Sequence, residues 1–164
     1  MNIRDISESD NTAIALIIRN TLKEFQLDIP GTAYYDPELD SLSDYYARSG
    51  RRYLICADES GTVIGGCGYA EFGSSQTAEM QKLYLIPACR GKGISTILIR
   101  EIEASAKADG YHTLYLETHH NLMKAVQIYE KFGYKRLEKP LGNSPHTTMD
   151  YFFCKALSQQ MVDF

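Results

Sequence analysis

The residues best suited to chemistry form a glycine-bearing turn, Arg90-Gly91-Lys92-Gly93, between an apolar segment and a helix-forming one. The first N–H groups of a helix have no partner within the helix, and the helix dipole adds positive partial charge there. Glycines permit positive φ and close approach of a ligand, and Arg90 and Lys92 add charge at the same place. The turn is therefore predicted to bind an anion, most simply a phosphate or pyrophosphate. The alternative is an ordinary strand-to-helix turn that happens to contain two glycines.

The segments on either side of the turn predict the elements that position it. Residues 80–86 are apolar and aromatic and predict a strand, which Pro87 ends because it has no N–H for a sheet ladder. After the turn, apolar residues recur at helical spacing: Ile94, Ile97, Leu98 and Ile102. The sequence contains no G-x-x-x-x-G-K-[ST] loop, and Thr96 stands where a G-x-G-x-x-G motif needs its third glycine.

Strands and helices are predicted along most of the remaining chain. Upstream, the pattern predicts a strand at 2–6, a helix capped by Ser7 or Ser9, a short helix at 39–48, and strands at 53–57 and 62–72. Downstream, it predicts a loop at 73–77, a strand at 113–117, a helix capped by Thr118 or Asn121 and ended by Gly133, strands at 134–137 and 149–157, and a frayed tail at 158–164. Three glycines within the 62–72 strand, Gly65, Gly66 and Gly68, indicate close packing or a bulge there.

Length and composition narrow the class of protein. The chain of 164 residues is predicted to form a single domain, 1–164, and 44% hydrophobic with 23% charged residues is typical of a soluble globular protein. The net charge of −4 and the lack of a basic run argue against a nucleic-acid partner. No apolar run approaches the ~18 residues of a membrane span. Four widely separated cysteines without a C-x-x-C pair predict no metal site and a reduced, cytoplasmic protein.

The run KLYLIPACRGKGIS resembles the R/Q-x-x-G-x-G/A signature of the GNAT superfamily of acyl-CoA-dependent N-acetyltransferases. Arg90 fills its first place and Gly93 its fourth, while Ser95 stands where the family usually has Gly or Ala. In that family the amides of this turn hold the pyrophosphate of acetyl-CoA. The resemblance therefore implies cofactor-binding roles for Arg90, Gly91, Lys92, Gly93, Ile94, Ser95 and Thr96.

A second segment, LETHHNLMKAVQIYEKFGYKRL, is similar to the family's strand and helix that end in Y-E-K-x-G-F/Y. Ala125, Tyr129, Lys131 and Gly133 occupy the matching places, and the resemblance covers residues 53–138 well and the N-terminal third loosely. It implies an α/β (α+β) fold with a mixed, mostly antiparallel central sheet, a β-α-β acetyl-CoA-binding core and helices on both faces. The implied activity is direct acetyl transfer from acetyl-CoA to a primary amine of a small molecule or peptide. A homodimer is a habit of the family.

Two side chains are predicted to carry the catalysis. Glu79 lies 11 residues before Arg90, the offset at which the histone-acetyltransferase branch carries its general base; the alternative is a solvated surface charge. Tyr129 matches the tyrosine that lies near the cofactor sulfur, where a phenol can protonate a departing thiolate; the alternative is a core tyrosine. In the family the strand holding Leu83 and Leu85 splays from its neighbour, so that its backbone binds the pantetheine arm and the thioester oxygen.

One position departs from the family pattern. Family helices often carry Asn three residues before the alanine, where this chain has Leu122, and Asn121 comes one residue early. A shift of one residue along a helix rotates the side-chain direction by roughly 100°. Asn121 can therefore contact the cofactor only if the first turn of the helix is looser than a regular one. His119 and His120 are either an acceptor-side base or a solvent-exposed pair.

The resemblance implies an acceptor site built from the N-terminal helices and their loop, the strand holding Tyr69 and Glu71, and the last hairpin. In this chain the loop is the carboxylate- and tyrosine-rich segment at 25–40, and the loop at 139–146 is expected to close over the acceptor. Such a loop suits a small cationic amine; the alternative is an acidic surface loop. Other functions stay open at this point: a non-catalytic CoA-binding sensor or regulatory module, transfer of a longer acyl group, or a hydroxyl acceptor. A covalent route through Cys89 is disfavoured because no paired base accompanies it.

Overall fold

A seven-stranded sheet is the centre of the fold in the computed structural model, which describes residues 1–157. Its strands are β1 (Asn2–Asp5), β2 (Arg52–Ala57), β3 (Val63–Phe72), β4 (Ser74–Leu85), β5 (Thr113–Thr118), β6 (Lys135–Leu137) and β7 (Tyr151–Ala156). They lie in the order β1-β2-β3-β4-β5-β7-β6, and all neighbours are antiparallel except β4 and β5. The predicted mixed, mostly antiparallel sheet with one strand–helix–strand crossover is thereby confirmed.

Helices cover both faces of the sheet, as predicted. They are α1 (Asn11–Glu24), α2 (Leu42–Tyr45), α3 (Ile94–Ala108) and α4 (Met123–Lys131). Successive side chains of a strand point to opposite faces, so Tyr53 and Ile55 join the core under α1 and α2, while Leu54 and Cys56 join the core under α3 and α4. None of the helices in residues 1–157 is long and apolar enough to cross a membrane.

The glycines of β3 make room for an aromatic ring. A Cβ at Gly66 or Gly68 would lie 2.5 Å from ring carbons of Tyr53, and one at Gly65 would lie 2.3 Å from the carbonyl oxygen of Tyr84. Contacts that short do not occur between real side chains. The close packing that the sequence indicated is therefore present.

A β-bulge interrupts the pairing of β3 with β4. Gly66 pairs with Tyr84 and Gly68 with Gln81, so two residues of β4 oppose one residue of β3. Lys82 within the bulge has φ of 52°, a left-handed backbone that non-glycine residues rarely adopt. Bulges re-aim side chains, and this one lies in the strand that carries the candidate site.

Several predicted boundaries were wrong. Residues 74–77 belong to β4, because Gln76 accepts a backbone hydrogen bond of 2.8 Å from His112 and Thr77 pairs with Thr113. The helix predicted at 39–48 is a 3₁₀ turn followed by the four residues of α2, and the Tyr45 carbonyl at its end accepts a bond from Arg51. The tail predicted to fray, 158–164, lies outside the described residues.

The cap expected before α4 was also wrong. His119, rather than Thr118 or Asn121, precedes a 3₁₀ turn at His120–Leu122 that leads into the helix. Its imidazole Nδ1 accepts a hydrogen bond of 3.1 Å from the backbone N–H of Asn121. An imidazole nitrogen thus replaces the hydroxyl or amide oxygen that more often caps a helix.

Candidate active site

Strands β4 and β5 diverge and open a cleft in the sheet. They share only three paired positions, Thr77 with Thr113, Ala78 with Leu114 and Glu79 with Tyr115, although β4 runs on to Leu85. Beyond Glu79, the edge of β4 that faces β5 has no partner strand within residues 1–157. Backbone groups on such an edge are available to a ligand. Leu83 and Leu85 lie on this stretch, and the Leu85 carbonyl accepts a bond of 3.1 Å from Arg90 Nε.

The glycine turn lies at the N-terminus of α3, close to the open end of the cleft. Gly91 and Gly93 have φ of 74° and 80°, which the turn requires and which glycine adopts without strain. No described atom other than chain neighbours lies within 4 Å of the place a Cβ would take at either glycine. Helix α3 begins at Ile94 without a side-chain cap. The first N–H groups of α3 therefore have no side-chain cap and follow an open, glycine-bearing turn, which fits an anion of phosphate type.

The side chain of Arg90 is paired with a carboxylate, whereas the sequence had predicted that it adds free charge to the turn. Its guanidinium donates two hydrogen bonds of 2.9 Å to the carboxylate of Glu24, at the end of α1. It also lies 5.6 Å from the centre of the Phe25 ring. Arg90 thus fastens the turn to α1, and the exposed Lys92 is the cation of the turn that remains free to approach an anion.

Asn121 lies at the same junction. Its side-chain amide donates a hydrogen bond of 2.9 Å to the carbonyl of Phe25. This bond ties the start of α4 to the end of α1, across the cleft. The structure therefore places Asn121 beside the cleft with its amide N–H engaged by protein, where the sequence had predicted a cofactor contact.

Glu79 is buried where the pairing of β4 with β5 ends, with 6% of its surface exposed. Its Oε1 accepts a bond of 2.6 Å from Gln81, whose carbonyl oxygen in turn accepts a bond of 2.7 Å from the Tyr46 hydroxyl. Burial and, to a smaller extent, the negative charge of Glu117 raise the pKa of Glu79 to about 7, against the Gln81 hydrogen bond, which lowers it. The alternative of a solvated surface charge is excluded. A carboxyl group that titrates near neutral pH is suited to act as a general base.

A second carboxylate, Glu117 on β5, accompanies Glu79. Because Tyr115 pairs with Glu79 and Glu117 follows two residues later, both carboxylates lie on the same face of the sheet. Glu117 Oε2 accepts a bond of 2.8 Å from the Tyr115 hydroxyl. Both glutamates line one small pocket of about 50 Å³, enough for ordered water. The sequence analysis missed Glu117, because only the register of β4 and β5 brings it to Glu79.

The other wall of the pocket carries a buried ion cluster. Lys82 Nζ lies 2.7 Å from one carboxylate oxygen of Asp36, and His146 Nε2 lies 2.8 Å from the other. Burial favours the neutral form of Asp36, but the His146 hydrogen bond and the Lys82 charge outweigh it and lower the pKa of Asp36. One carboxylate of the predicted acidic loop is thus an internal partner of the Lys82 ammonium and the His146 imidazole.

The predicted closing loop reaches this wall of the pocket. His146 at its end lines the pocket together with Glu79, Gln81, Lys82 and Glu117. Just beyond it, Thr148 donates through its backbone N–H to Gly31 at 3.1 Å and through its hydroxyl to Pro30 at 2.7 Å. The loop that follows α1 and the segment that precedes β7 are therefore joined over the pocket.

Tyr129 lies on α4, buried in the core under α3 and α4. Its ring centre is 5.9 Å from that of Tyr134 and 6.1 Å from that of Phe153. The Tyr134 hydroxyl donates to Glu103 at 2.9 Å, whereas the Tyr129 hydroxyl has no hydrogen-bond partner in residues 1–157. Burial raises the pKa of Tyr129 well above that of a free phenol. The phenol therefore remains protonated across the working pH range.

Of the two alternatives for the histidine pair, that of a solvent-exposed pair holds for only one of the two residues. His120 is exposed, but His119 is buried and stacks on it with ring centres 4.0 Å apart. Burial lowers the pKa of His119. With Asp150, the pair is the one group in the described part of the chain whose side chains lie close enough to hold a metal ion. His120 Nδ1 already lies 2.5 Å from Asp150, and His119 Nδ1 is used as the helix cap.

Comparison with known proteins gives consistent matches. The family model of the acetyltransferase (GNAT) family matches residues 19–134. YjgM of Escherichia coli, named as an uncharacterized N-acetyltransferase, is 35% identical over 88% of this chain and 87% of its own. A GNAT-family acetyltransferase of Staphylococcus aureus Mu50 has a TM-score of 0.84 at 19% identity, over 96% of this chain and 99% of its own. YncA of Salmonella typhimurium, solved with its cofactor acetyl-CoA, has a TM-score of 0.76 at 20% identity, over 100% of this chain and 98% of its own.

Proposed function

The chain belongs to the acetyltransferase (GNAT) family and is an acyltransferase, and we propose that it moves an acetyl group from acetyl-CoA directly to a primary amine of a small molecule or peptide. The observation that carries this proposal is Glu79. Its carboxyl is buried at the point where β4 and β5 part, it titrates near neutral pH, and one of its oxygens has no partner in residues 1–157. A buried oxygen without a partner in a native protein calls for an explanation, and a catalytic role is one that fits its place at the cleft.

The residues of the cleft fit acetyl-CoA. The uncapped N–H groups of Ile94, Ser95 and Thr96, with those of the turn before them, would take the pyrophosphate, and Lys92 would add charge. The unpaired edge of β4 at Leu83 would take the pantetheine arm, because an extended amide chain can pair there like a strand. The acetyl-CoA bound by the structurally similar YncA supports this assignment.

Glu79 and Tyr129 would divide the proton transfers between them. Acetyl-CoA supplies the thioester carbon that the amine attacks. Glu79 takes a proton from the amine, directly or through water in the pocket, so that the nitrogen lone pair is free to attack. A backbone N–H of β4 donates to the thioester oxygen as negative charge develops on it. Tyr129 donates a proton to the departing sulfur. Because its pKa is raised, the protonated phenol is favoured over the phenolate, so the hydroxyl regains its proton quickly.

Domain organisation and cellular setting belong to the same proposal. The described residues form one continuous sheet, which supports a single domain at 1–164. All four cysteines are free, and Cys56 and Cys67 are buried, which supports a reducing compartment such as the cytoplasm.

The first test is calorimetric titration with acetyl-CoA, desulfo-CoA and ATP, followed by thiol release with a panel of amines. We expect selective binding of acetyl-CoA, and turnover of at least one amine that falls by about a hundredfold or more in Glu79→Gln. The control is Glu59→Gln, which removes an exposed carboxylate in the β2–β3 turn. Binding of acetyl-CoA no tighter than that of ATP would refute the proposal. Selective binding without turnover of any amine would indicate a CoA-binding sensor instead.

A further inference from the structure

A long irregular connection joins two neighbouring strands beside the pocket. Residues 138–150 run from the end of β6 to the start of β7, although antiparallel neighbours can be joined by a tight hairpin turn. None of residues 138–150 is buried, and neither core cluster includes them. Connections of this length without helix or strand are uncommon in compact domains and usually serve a function. We call residues 138–150 the strap.

Polar contacts hold the strap against the loop that follows α1. The Thr148 N–H donates to the Gly31 carbonyl at 3.1 Å, and His146 Nε2 lies 2.8 Å from the Asp36 carboxylate. We call these two contacts the latch. Water can replace such bonds at a small net cost. Asp36 keeps its bond of 2.7 Å to Lys82 when His146 leaves, so opening of the latch would not strand a buried charge.

Gly31 allows the strap to come this close. A Cβ at Gly31 would lie 2.5 Å from Thr148 Oγ1, 2.8 Å from Thr147 Oγ1 and 3.0 Å from the backbone nitrogen of Thr148. Its φ of 79° also favours glycine. Gly61 has a similar φ of 87°, but no described atom other than chain neighbours lies within 4 Å of its Cβ position. The closed strap therefore needs glycine at position 31 for space as well as for backbone conformation.

The closed strap leaves little room beside Glu79. Two residues of the strap, His146 and Met149, line the pocket that Glu79 lines from β4. The pocket measures about 50 Å³, whereas sites for small molecules typically measure about 300–1,000 Å³. Ordered water fits this volume, but an acceptor of ordinary size needs more room than the closed strap leaves.

We propose that the strap is a lid, which parts from the loop that follows α1 at the latch to admit the acceptor and closes again to keep bulk water from Glu79. This inference rests on the proposed function and adds the route by which the acceptor reaches the site. Closure of a lid excludes water from a reaction and commits the bound substrate. The latch residues thus control access, whereas Glu79 and Tyr129 act on the reaction itself.

Hydrogen exchange of the wild type, followed by NMR, tests the opening without a substrate. The Thr148 N–H should exchange about tenfold or more faster than the amides of β7, at a rate that urea below the unfolding transition leaves nearly unchanged, because a local opening exposes little surface. Exchange as slow as that of β7, with the same urea dependence, would mean that the strap opens only when the protein unfolds. Exchange at the rate of an unstructured peptide would mean that the strap is not closed. Either result would overturn the inference.

A pair of glycine variants tests the latch. Gly31→Ala introduces a Cβ that the closed strap has no space for, and it should raise the exchange rate of the Thr148 N–H by about tenfold or more. Gly61→Ala imposes similar backbone strain in a turn without such a contact, and it should leave that rate as in the wild type. Equal effects of the two variants, or no effect of Gly31→Ala, would contradict the role given to the latch.

A cross-link tests the route of the acceptor. Positions 31 and 148 are in contact, so Gly31→Cys/Thr148→Cys should form a disulfide that holds the strap closed. In the oxidised protein we expect acetyl-CoA to bind as in the wild type by calorimetry. Acetylation of an amine that the wild type accepts, measured by mass spectrometry, should fall about tenfold or more and return on reduction, whereas Thr148→Cys alone should not respond to oxidation. Full turnover by the oxidised protein would overturn the inference. A wild type that binds no acetyl-CoA or acetylates no amine would instead count against the proposed function, and hydrogen exchange would still decide whether the strap opens.

Discussion

Burial of Glu79 makes the stability of the protein depend on pH in a direction that can be stated in advance. Its pKa is raised from 4.5 to about 7 on folding. The folded state therefore holds this proton more tightly than the unfolded state does. Stability from this residue is fully present below pH 4.5, falls as the pH rises towards 7, and levels off above it.

The size of the effect follows from the shift. Between pH 5 and pH 8 the shift of Glu79 corresponds to a loss of about 2–3 kcal/mol of unfolding free energy, at about 1.4 kcal/mol for each pKa unit. For a chain of this length, that is a fall in Tm of about 5–10 °C. Glu79→Gln has no proton to lose, and its carbonyl can still accept the bond from Gln81. The unfolding free energy of Glu79→Gln, relative to that of the wild type, should therefore increase by this amount as the pH rises from 5 to 8.

The assay is urea unfolding of the wild type, Glu79→Gln and Glu59→Gln at pH 5, 6, 7 and 8. Asp36 and the other carboxyl groups titrate in all three proteins, so their contributions cancel in the differences. The difference between Glu79→Gln and wild type should widen by about 2–3 kcal/mol from pH 5 to pH 8, and that for Glu59→Gln should stay constant. A constant difference for Glu79→Gln as well would refute the reasoning, since it would mean that the carboxyl titrates normally in the fold.

Three further variants test the cleft. Gly93→Ala places a side chain at φ of 80° and should weaken acetyl-CoA binding about five- to tenfold by calorimetry, whereas Gly61→Ala, at φ of 87° in a distant turn, should cost similar stability and leave binding intact. Tyr129→Phe should lower kcat about ten- to a hundredfold with acetyl-CoA affinity unchanged, whereas Tyr134→Phe should affect thermal stability more than kcat; equal kcat losses would contradict the role given to Tyr129. Arg90→Gln breaks the partly exposed ion pair to α1 and should lower stability by about 1 kcal/mol or less, with a smaller loss of acetyl-CoA affinity than Gly93→Ala; a larger loss would mean that the guanidinium meets the ligand directly.

The features that the sequence predicted well are those with local signals. Pro87 ends β4, and the positive φ of Gly93 precedes α3, because each residue restricts or permits its own backbone. The apolar runs on either side of the Asp58–Gly61 turn likewise indicated β2 and β3. Residues 74–77 were misassigned because polar side chains on a hairpin end look like a loop until the partner strand is known.

The features that the sequence did not reveal depend on contacts between distant segments. Glu117 is an unremarked acidic residue near the end of a strand, and it becomes part of the site only through the pairing of Tyr115 with Glu79. Lys82 meets Asp36 across 46 residues and His146 meets Asp36 across 110. No local pattern encodes such distances, since they follow from sheet register and from the path of two loops.

The bulge in β4 connects the fold to the electrostatics of the site. Regular alternation would place the side chain of residue 82 on the face opposite to Glu79 and Gln81. The positive φ of Lys82 breaks that alternation, and its ammonium reaches Asp36 with only 3% of the side chain exposed. A left-handed lysine costs about 1–2 kcal/mol, so the fold holds a strained backbone at the point where it positions a charged group of the site. Because Asp36 engages both Lys82 and His146, the strained residue helps to set the charges that line the pocket beside Glu79 and Glu117.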